Sequence, residues 1–477
     1  DAALETDPDD PETRFMETVI RAAKGDKTGS LAAMQKALQL GLPAARFIAG
    51  PRELFASITE EPAFQELLRK HATQLVHGPM LGHLTESTVK IWVRTSGASQ
   101  VTATVTPIVA NSLSQDKPPT VRERARTYAK TDYTCTIQFD SLEPLTEYHY
   151  TVRVGEGPEI EGGTFKTLFL PAQTGEFSLA FGGGAGYVPQ HERMWTTIGS
   201  FDPDLLLLLG DNIYSDAPDL SGMQRYCYYR RQSRSEFQRL VANTPVYAIW
   251  DDHDFGTNDC SGGPKINSPT WKIPVWNVYQ QNWANPAYGG GRKQPGCWYD
   301  FYAGDIHFIM LDGRYYRHRK DKTMLGPAQK AWLKKTLLAS SGTFKVVASP
   351  VPWDYRTKGD SKDTWNGFKE ERTEIFDFLA ENKIEGVLLM SADRHRSDAW
   401  KIDRPNGYSL YEFNSSRLTN NHVHKTMKEA IFSYNKKQSF GLVEFDTTVD
   451  DPSISYTVIS IDGEKIHNLR LKRSMLK

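Results

Sequence analysis

Cysteine is scarce: the 477-residue chain carries four, Cys135, Cys227, Cys260 and Cys297. None forms a Cys-x-x-Cys pair, which argues against a zinc knuckle, and so few in so long a chain do not make a disulfide scaffold. One or two bridges and four free thiols are both open. Long apolar runs are missing as well. Stretches such as Leu205–Leu209 fall far short of the roughly 20 residues that span a bilayer, so no transmembrane segment is expected. Nor is there an excess of charge of one sign. Lys plus Arg is 57 and Asp plus Glu is 58, a formal net charge of −1. Proteins that follow polyphosphate backbones carry a basic excess, so no nucleic-acid specificity is expected. No internal repeat or low-complexity tract stands out. No HxHxDH run occurs, which disfavours a β-lactamase-like metal fold.

What is present is globular: 39% hydrophobic and 11% aromatic residues, in a chain long enough for two or three domains. Residues 1–75 read as a helical N-terminal region. Phe15, Val19, Ile20 and Ala23 recur at helical spacing, as do Leu31, Met34 and Leu38 after Ser30, an expected N-cap. A third helix is expected from Glu61 to His71. Residues 76–172 switch to period two. Val89, Ile91 and Val93 alternate with polar or larger residues, and so do Val101, Ala103 and Val105, then Tyr148, Tyr150, Val152 and Val154. This predicts a small antiparallel β-sandwich, and the run Leu142 to Val154 resembles fibronectin-type strands. Residues 173–477 alternate apolar strands with helices, an α/β layered domain. The opening decapeptide DAALETDPDD is acidic and lacks Met, as a mature terminus after signal removal or a trimmed chain would.

The charged residues sit where the strands end. LLLLLGDNIYSD places Asp211 and Asn212 after Leu205–Leu209. AIWDDHDFGTND follows a third strand with Asp252, His253 and Asn258. LLMSADRHRSD follows a sixth with Asp393, Arg394 and His395, and MLDGRYYR a fourth with Asp312 and Arg314. Ligands in α/β sheets bind beyond the carboxyl ends of strands, so clusters distant in sequence can converge. Carboxylates this dense repel one another unless cations neutralise them. Asp393 and His395 are two apart, so an extended segment would point them the same way. Asp, His and Asn donors favour Ca, Mg, Mn, Fe or Zn over soft copper. Two such ions about 3.5–4 Å apart activate water for phosphate-ester hydrolysis. Arg forks suit phosphate oxygens. The Gly182–Gly184 run lacks the GxGxxG and Walker spacings and reads as a loop near the site.

Together GDNIYSD, WDDHDFGTND, LDGRYYR and SADRHRSD resemble the alkaline phosphatase D family of calcineurin-like metallophosphoesterases, and His77 to Thr95 is similar to the opening strands of its β-sandwich. The resemblance implies a four-layer αββα catalytic domain preceded by a fibronectin-like sandwich. It further implies a centre of two or more metal ions, including Ca or Fe, with Zn, Mn or Mg as alternatives. In that mapping Asp211 bridges the metals, Asp252, Asp393 and His395 complete the coordination, and His253 protonates the leaving group. Arg314 is assigned to catalysis, and Asn212, Asn258 and Arg394 to substrate binding. Tyr229 matches a tyrosine that ligates ferric iron in some relatives, with Tyr226 and Tyr228 close enough to compete for that assignment. Gly184 stands where the family commonly has a metal-binding cysteine; Gln190 and His191 are within reach as replacements. The implied substrates are phosphate-ester small molecules, phospholipids or cell-wall polymers, and the implied location is secreted, periplasmic or cell-surface. The rival functions are a non-catalytic phosphate-binding member and another metallohydrolase such as a phosphotriesterase.

Overall fold

The computed structural model describes residues 7–70, 75–108 and 119–477. His71 and the first six residues of the acidic opening lie outside them. The centre of the molecule is a pair of sheets. One has nine strands, the other seven. In the larger sheet, Glu176–Gly182, Leu205–Leu209 and Val246–Ile249 run parallel as neighbours. Strands Ser439–Asp446, Ser453–Ser460 and Lys465–Lys472 continue it antiparallel on one side. In the smaller sheet, Ile306–Met310, Phe344–Ala348 and Val387–Ser391 are parallel.

Strand period two sorts the apolar residues of the smaller sheet into two layers. Phe308, Met310, Val346, Ala348, Leu388 and Met390 join the core shared with the larger sheet. Ile309, Leu311, Val347, Val387 and Leu389 instead pack with Leu333, Leu337, Ile375 and Leu379. Those four belong to helices Gly326–Ala339 and Lys369–Glu381. Strands buried on both faces must be apolar throughout, which is why they read as continuous hydrophobic runs. Helices Met194–Gly199, Ser221–Gln232 and Ser235–Val241 contribute Trp195, Tyr228 and Phe237 to the shared core. The architecture is the expected four-layer αββα.

The strands of residues 76–172 are divided between two sheets. Leu75–Gly82, Val89–Thr95 and Thr134–Phe139 extend the nine-stranded sheet beyond Val246–Ile249, joined through the parallel pair Gly82 and Val246. Gln100–Pro107, Val121–Arg126, Glu147–Val154 and Glu159–Lys166 form a separate four-stranded antiparallel sheet. Val101, Val105, Tyr150 and Val152 from it lie in one core with Ile91, Val93 and Ile137.

The N-terminal helices run Pro11–Ala23, Lys27–Gln39, Ala44–Ala49 and Pro62–Lys70. Ser30 is not the N-cap. Asp26 caps that helix by accepting the Gly29 N–H, and Ser30 lies inside it, its hydroxyl donating to Thr18 O at 2.9 Å. Aspartate captures the orphan amide better than the expected serine because it sits one turn earlier with a charged acceptor. All four cysteines are free thiols. No helix among the described residues is long and apolar enough to cross a membrane.

Candidate metal centre

Three parallel strands end at one place. Leu205–Leu209 runs into Gly210, at φ 104°, and Asp211, at φ 53°. A β-carbon on Gly210 would lie 2.6 Å from Asp251 Cβ, so only glycine lets these two strand ends approach. Val246–Ile249 ends in Trp250, Asp251 and Asp252. From the opposing sheet, Val387–Ser391 delivers Asp393, at φ 63°, and His395, at φ 46°. That segment is not extended as expected. Two left-handed residues turn it, and the turn, not strand alternation, brings both side chains to one cavity. Non-glycine residues in this region store strain and concentrate at functional sites.

The cavity holds about 440 Å³, and Asp211, Tyr214, Asp252, His253, Asp393 and His395 line it. Donor atoms of Asp211, Asp252 and His253 lie within 4.8 Å of one another, as do those of Asp252, Asp259 and Asp363. Asp211 is buried; it accepts the Tyr214 hydroxyl at 2.8 Å on Oδ2, while its Oδ1 has no partner. Burial, then the neighbouring carboxylates of Asp252, Asp251, Asp254 and Asp393, push the Asp211 pKa well above the ordinary range. Burial pushes His395 down to about 3, so its ring is neutral, and its Nδ1 is also buried without a partner. A buried, unpaired carboxylate oxygen and an unpaired neutral imidazole nitrogen are each unfavourable alone. Both are suited to a cation, and with Asp252 they make an oxygen-and-nitrogen donor set that fits hard or borderline metal ions.

Positive charge is already built in nearby. Lys358 Nζ lies 3.5 Å from Asp363 and 3.6 Å from both Asp259 and Asp393. Burial opposes ionisation of Asp393, but Lys358 and Arg394, the latter at 3.3 Å, outweigh it and lower its pKa. His253 donates from Nδ1 to Asp216 at 2.6 Å. Burial pulls its pKa down, yet the bond to Asp216 and the charges of Asp252 and Asp251 raise it above the usual value. Its ring packs 4.3 Å from that of Tyr214.

Asp211, Asp252, His253, Asn258, Asp393, Arg394 and His395 thus meet at the cavity. Three other expected residues do not. Tyr229 donates to Asp132 at 2.7 Å, with the Arg94 guanidinium 4.6 Å from its ring. Its helix turns it toward the sandwich strands. Tyr226 stacks on Phe15 at 5.7 Å, and Tyr228 accepts from Trp283 at 3.3 Å, so neither competitor replaces it. Arg314 is fully buried behind the cavity. It bonds Asp251 at 2.5 Å and Asp363 at 2.8 and 3.0 Å, and stands 3.6 Å from Asp252. It positions carboxylates and has no open face toward a substrate. Asn212 donates its side-chain amide to Ile249 O at 2.8 Å and does not line the cavity. His191 bonds Thr419 O at 2.9 Å and does not line the cavity. At Gly184 a β-carbon would sit 2.9 Å from Arg417 N and 3.6 Å from His395 Nδ1, at φ +65°. The position adjoins the centre and supplies no side-chain ligand.

Sequence reasoning missed Tyr214, Asp259, Lys358, Asn420, His422 and His424, all of which line the cavity. Tyr214 carried a signal, since it lies in the same GDNIYSD segment as Asp211. Lys358 carried none, being in a short 3₁₀ segment, Tyr355–Lys358, with no strand before it.

Two facing sheets in four layers, with carboxylates and imidazoles gathered where strands from both sheets end, define a metallophosphoesterase fold. More particularly, residues 179–451 match the PhoD-like phosphatase family, and the chain belongs to it. Residues 72–160 match a domain of unknown function, DUF7800. Alkaline phosphatase D of Bacillus subtilis (strain 168) is 22% identical over 309 residues, covering 55% of this chain and 53% of that protein. The chain therefore spans about half the length of this curated relative. The solved structure of PhoD is similar with a TM-score of 0.65 at 16% identity, covering 82% of this chain and 91% of the other. Purple acid phosphatase PPD1 from yellow lupin seeds gives 0.61 at 14% identity, covering 83% and 75%. At these identities the structures establish the fold.

Proposed function

We propose that the chain is a metal-dependent phosphoric ester hydrolase. The observation that carries this reading is the convergence of Asp211, Asp252 and His253 within 4.8 Å at a cavity that also receives Asp393 and His395. Asp211, Asp252, Asp393 and His395 hold two or more metal ions, including Ca or Fe, which supply Lewis acidity and activate water when bound. Tyr214 orients Asp211 through its hydroxyl. Arg394 and Asn258 face the cavity and bind the non-bridging phosphate oxygens, which guanidinium and amide donors suit. His253 is held by Asp216, whose carboxylate favours the protonated ring, so it protonates the departing alkoxide. Arg314 fixes Asp251 and Asp363 from behind. The substrates are phosphodiesters, among them phospholipids or cell-wall polymers, with monoesters as a further class. The site of action is outside the cytoplasm.

Turnover of bis(p-nitrophenyl) phosphate, with and without chelator, tests the activity. His253→Ala is expected to lower kcat by about 10²–10⁴-fold while metal content stays unchanged. Equal loss of metal would make His253 a ligand, and no turnover at any metal loading would defeat the reading.

A further inference from the structure

A second cavity, of about 770 Å³, lies where the nine-stranded sheet ends. Strand Thr134–Phe139 is the last of that sheet, and among the described residues no strand pairs its outer edge. Helix Lys272–Asn282 and the start of helix Ser221–Gln232 supply the other walls. The groove shares no lining residue with the metal cavity.

Its charge is the reverse of the metal cavity's. No Asp or Glu lines the groove, whereas Lys130, Arg225 and Arg292 do. Arg225 has a long contact with Glu53 at 3.6 Å. Lys130 and Arg292 are exposed and make no ion pair among the described residues. Three cations around one cleft, with no acid facing them, attract anions. The remaining polar wall is neutral: Thr131, Thr136 and Ser221 offer hydroxyls, and Asn277 and Gln280 offer amides. Gln281, also in the wall, donates from Nε2 to Lys130 O at 3.4 Å. A carbonyl only accepts, so this contact fixes the amide's orientation. Its Oε1 is left buried and without a partner. A fully ionised oxyanion cannot satisfy that oxygen, but a hydroxyl can. The groove therefore suits negative charge and hydroxyl donors together.

The sheet-side wall is braced from behind. The turn that carries Lys130 and Thr131 ends in two consecutive left-handed residues, Asp132 at φ 55° and Tyr133 at φ 54°. Asp132 is buried, accepts the Tyr229 hydroxyl at 2.7 Å and faces Arg94 at 3.1 Å. Backbone of this kind persists where its surroundings over-determine it.

We propose that this groove binds a hydroxyl-rich chain bearing phosphate or sulfate groups, an anionic polysaccharide in chemical class, at a site separate from the metal centre. Nucleic acid fits less well. Its bases stack on accessible aromatic rings, and the aromatic residue in this wall, Trp276, is 3% exposed with its indole N–H bonded to Gly296 O at 2.9 Å. The binding site stands independently of the hydrolase reading.

The test measures binding of fluorescein-labelled dextran sulfate, dextran phosphate and neutral dextran to the metal-loaded full chain by anisotropy. The charged dextrans are expected to bind about 10-fold more tightly than the neutral one, or better, and to weaken as salt rises; the tighter of the two identifies the oxyanion. Lys130→Gln/Arg225→Gln/Arg292→Gln is expected to lose about 10-fold in affinity or more, with metal content and bis(p-nitrophenyl) phosphate turnover at wild-type values. Lys24→Gln/Lys335→Gln/Lys465→Gln, which removes three exposed lysines elsewhere, is expected to bind like wild type. Equal losses in both variants would assign binding to net charge and overturn the proposal. A groove variant that binds like wild type would overturn it too, as would single-stranded DNA binding more tightly than either charged dextran. Lys130→Gln/Arg292→Gln, confined to exposed side chains, gives the same reading if the triple variant does not fold. Absent turnover in the metal-loaded wild type would defeat the hydrolase reading and leave the binding comparison intact.

Discussion

At the scale of single residues, the centre is built from unfavourable choices that offset one another. Asp211, Asp393 and His395 adopt left-handed backbone, which costs on the order of 1–3 kcal/mol each. Asp211 keeps an unpaired buried oxygen beside other carboxylates. A bound cation would offset the unpaired oxygen and the crowding of carboxylates. The residue whose tuning reads out most directly is His253. Asp216 stabilises its protonated ring and so raises its pKa. A general acid works while protonated, so activity falls as pH rises through that pKa. Asp216→Asn removes the stabilisation, and the alkaline limb of the kcat–pH profile is expected to move to lower pH. A limb that stays in place would assign it to another group.

At the scale of elements, the N-terminal helices are docked on the catalytic domain by aromatic packing. Phe15 is fully buried and lies 5.0 Å from Phe47, 6.0 Å from Phe55 and 5.7 Å from Tyr226 of helix Ser221–Gln232. Arg46 covers Phe15 at 4.6 Å and pairs with Glu12 at 2.7 Å through its second nitrogen. Removing a buried phenyl ring leaves a cavity and costs about 3–5 kcal/mol. Phe15→Ala is therefore expected to speed amide exchange across residues 7–70 and lower their unfolding midpoint, with metal content unaffected. The same helix shows why a motif can mislead. In YCYYRRQ, residues 226–232, three tyrosines crowd about one turn, and successive residues on a helix point about 100° apart. Tyr226, Tyr228 and Tyr229 consequently serve three different packing neighbours, none of them at the cavity. A tyrosine three residues past Asp211, in an irregular loop, reaches it instead.

At the scale of the whole molecule, the proposed metal binding predicts a coupling to stability. The folded pKa of Asp211 exceeds its unfolded value, so the folded state binds more protons. For the metal-free protein that contribution is complete below the unfolded pKa and is lost as pH rises through the folded one. Chelated protein is expected to lose stability as pH rises above the ordinary carboxylate range. Restoring metal at about 100 times its Kd is expected to recover about 2.7 kcal/mol. Thermal unfolding of chelated and reloaded protein across pH checks this. A chelated protein whose midpoint does not change with pH would show that the carboxylate cluster is not strained without cations.

Local sequence was sufficient for most of the elements and pointed to seven of the residues that meet at the cavity. The five apolar residues Leu205–Leu209 must be a strand buried on both faces, and carboxylates placed just past such strands must meet at a sheet edge. Patterning of this kind is local, because period and burial are decided within a few residues. Tertiary packing alone decided the rest. It drew three sandwich strands into the nine-stranded sheet, set Arg314 behind the carboxylates, turned Tyr229 away, and brought Lys358, His422 and His424 to the cavity. Those outcomes depend on which surfaces face each other across the fold, and contacts between residues 30 to 200 positions apart leave no period in the chain that makes them.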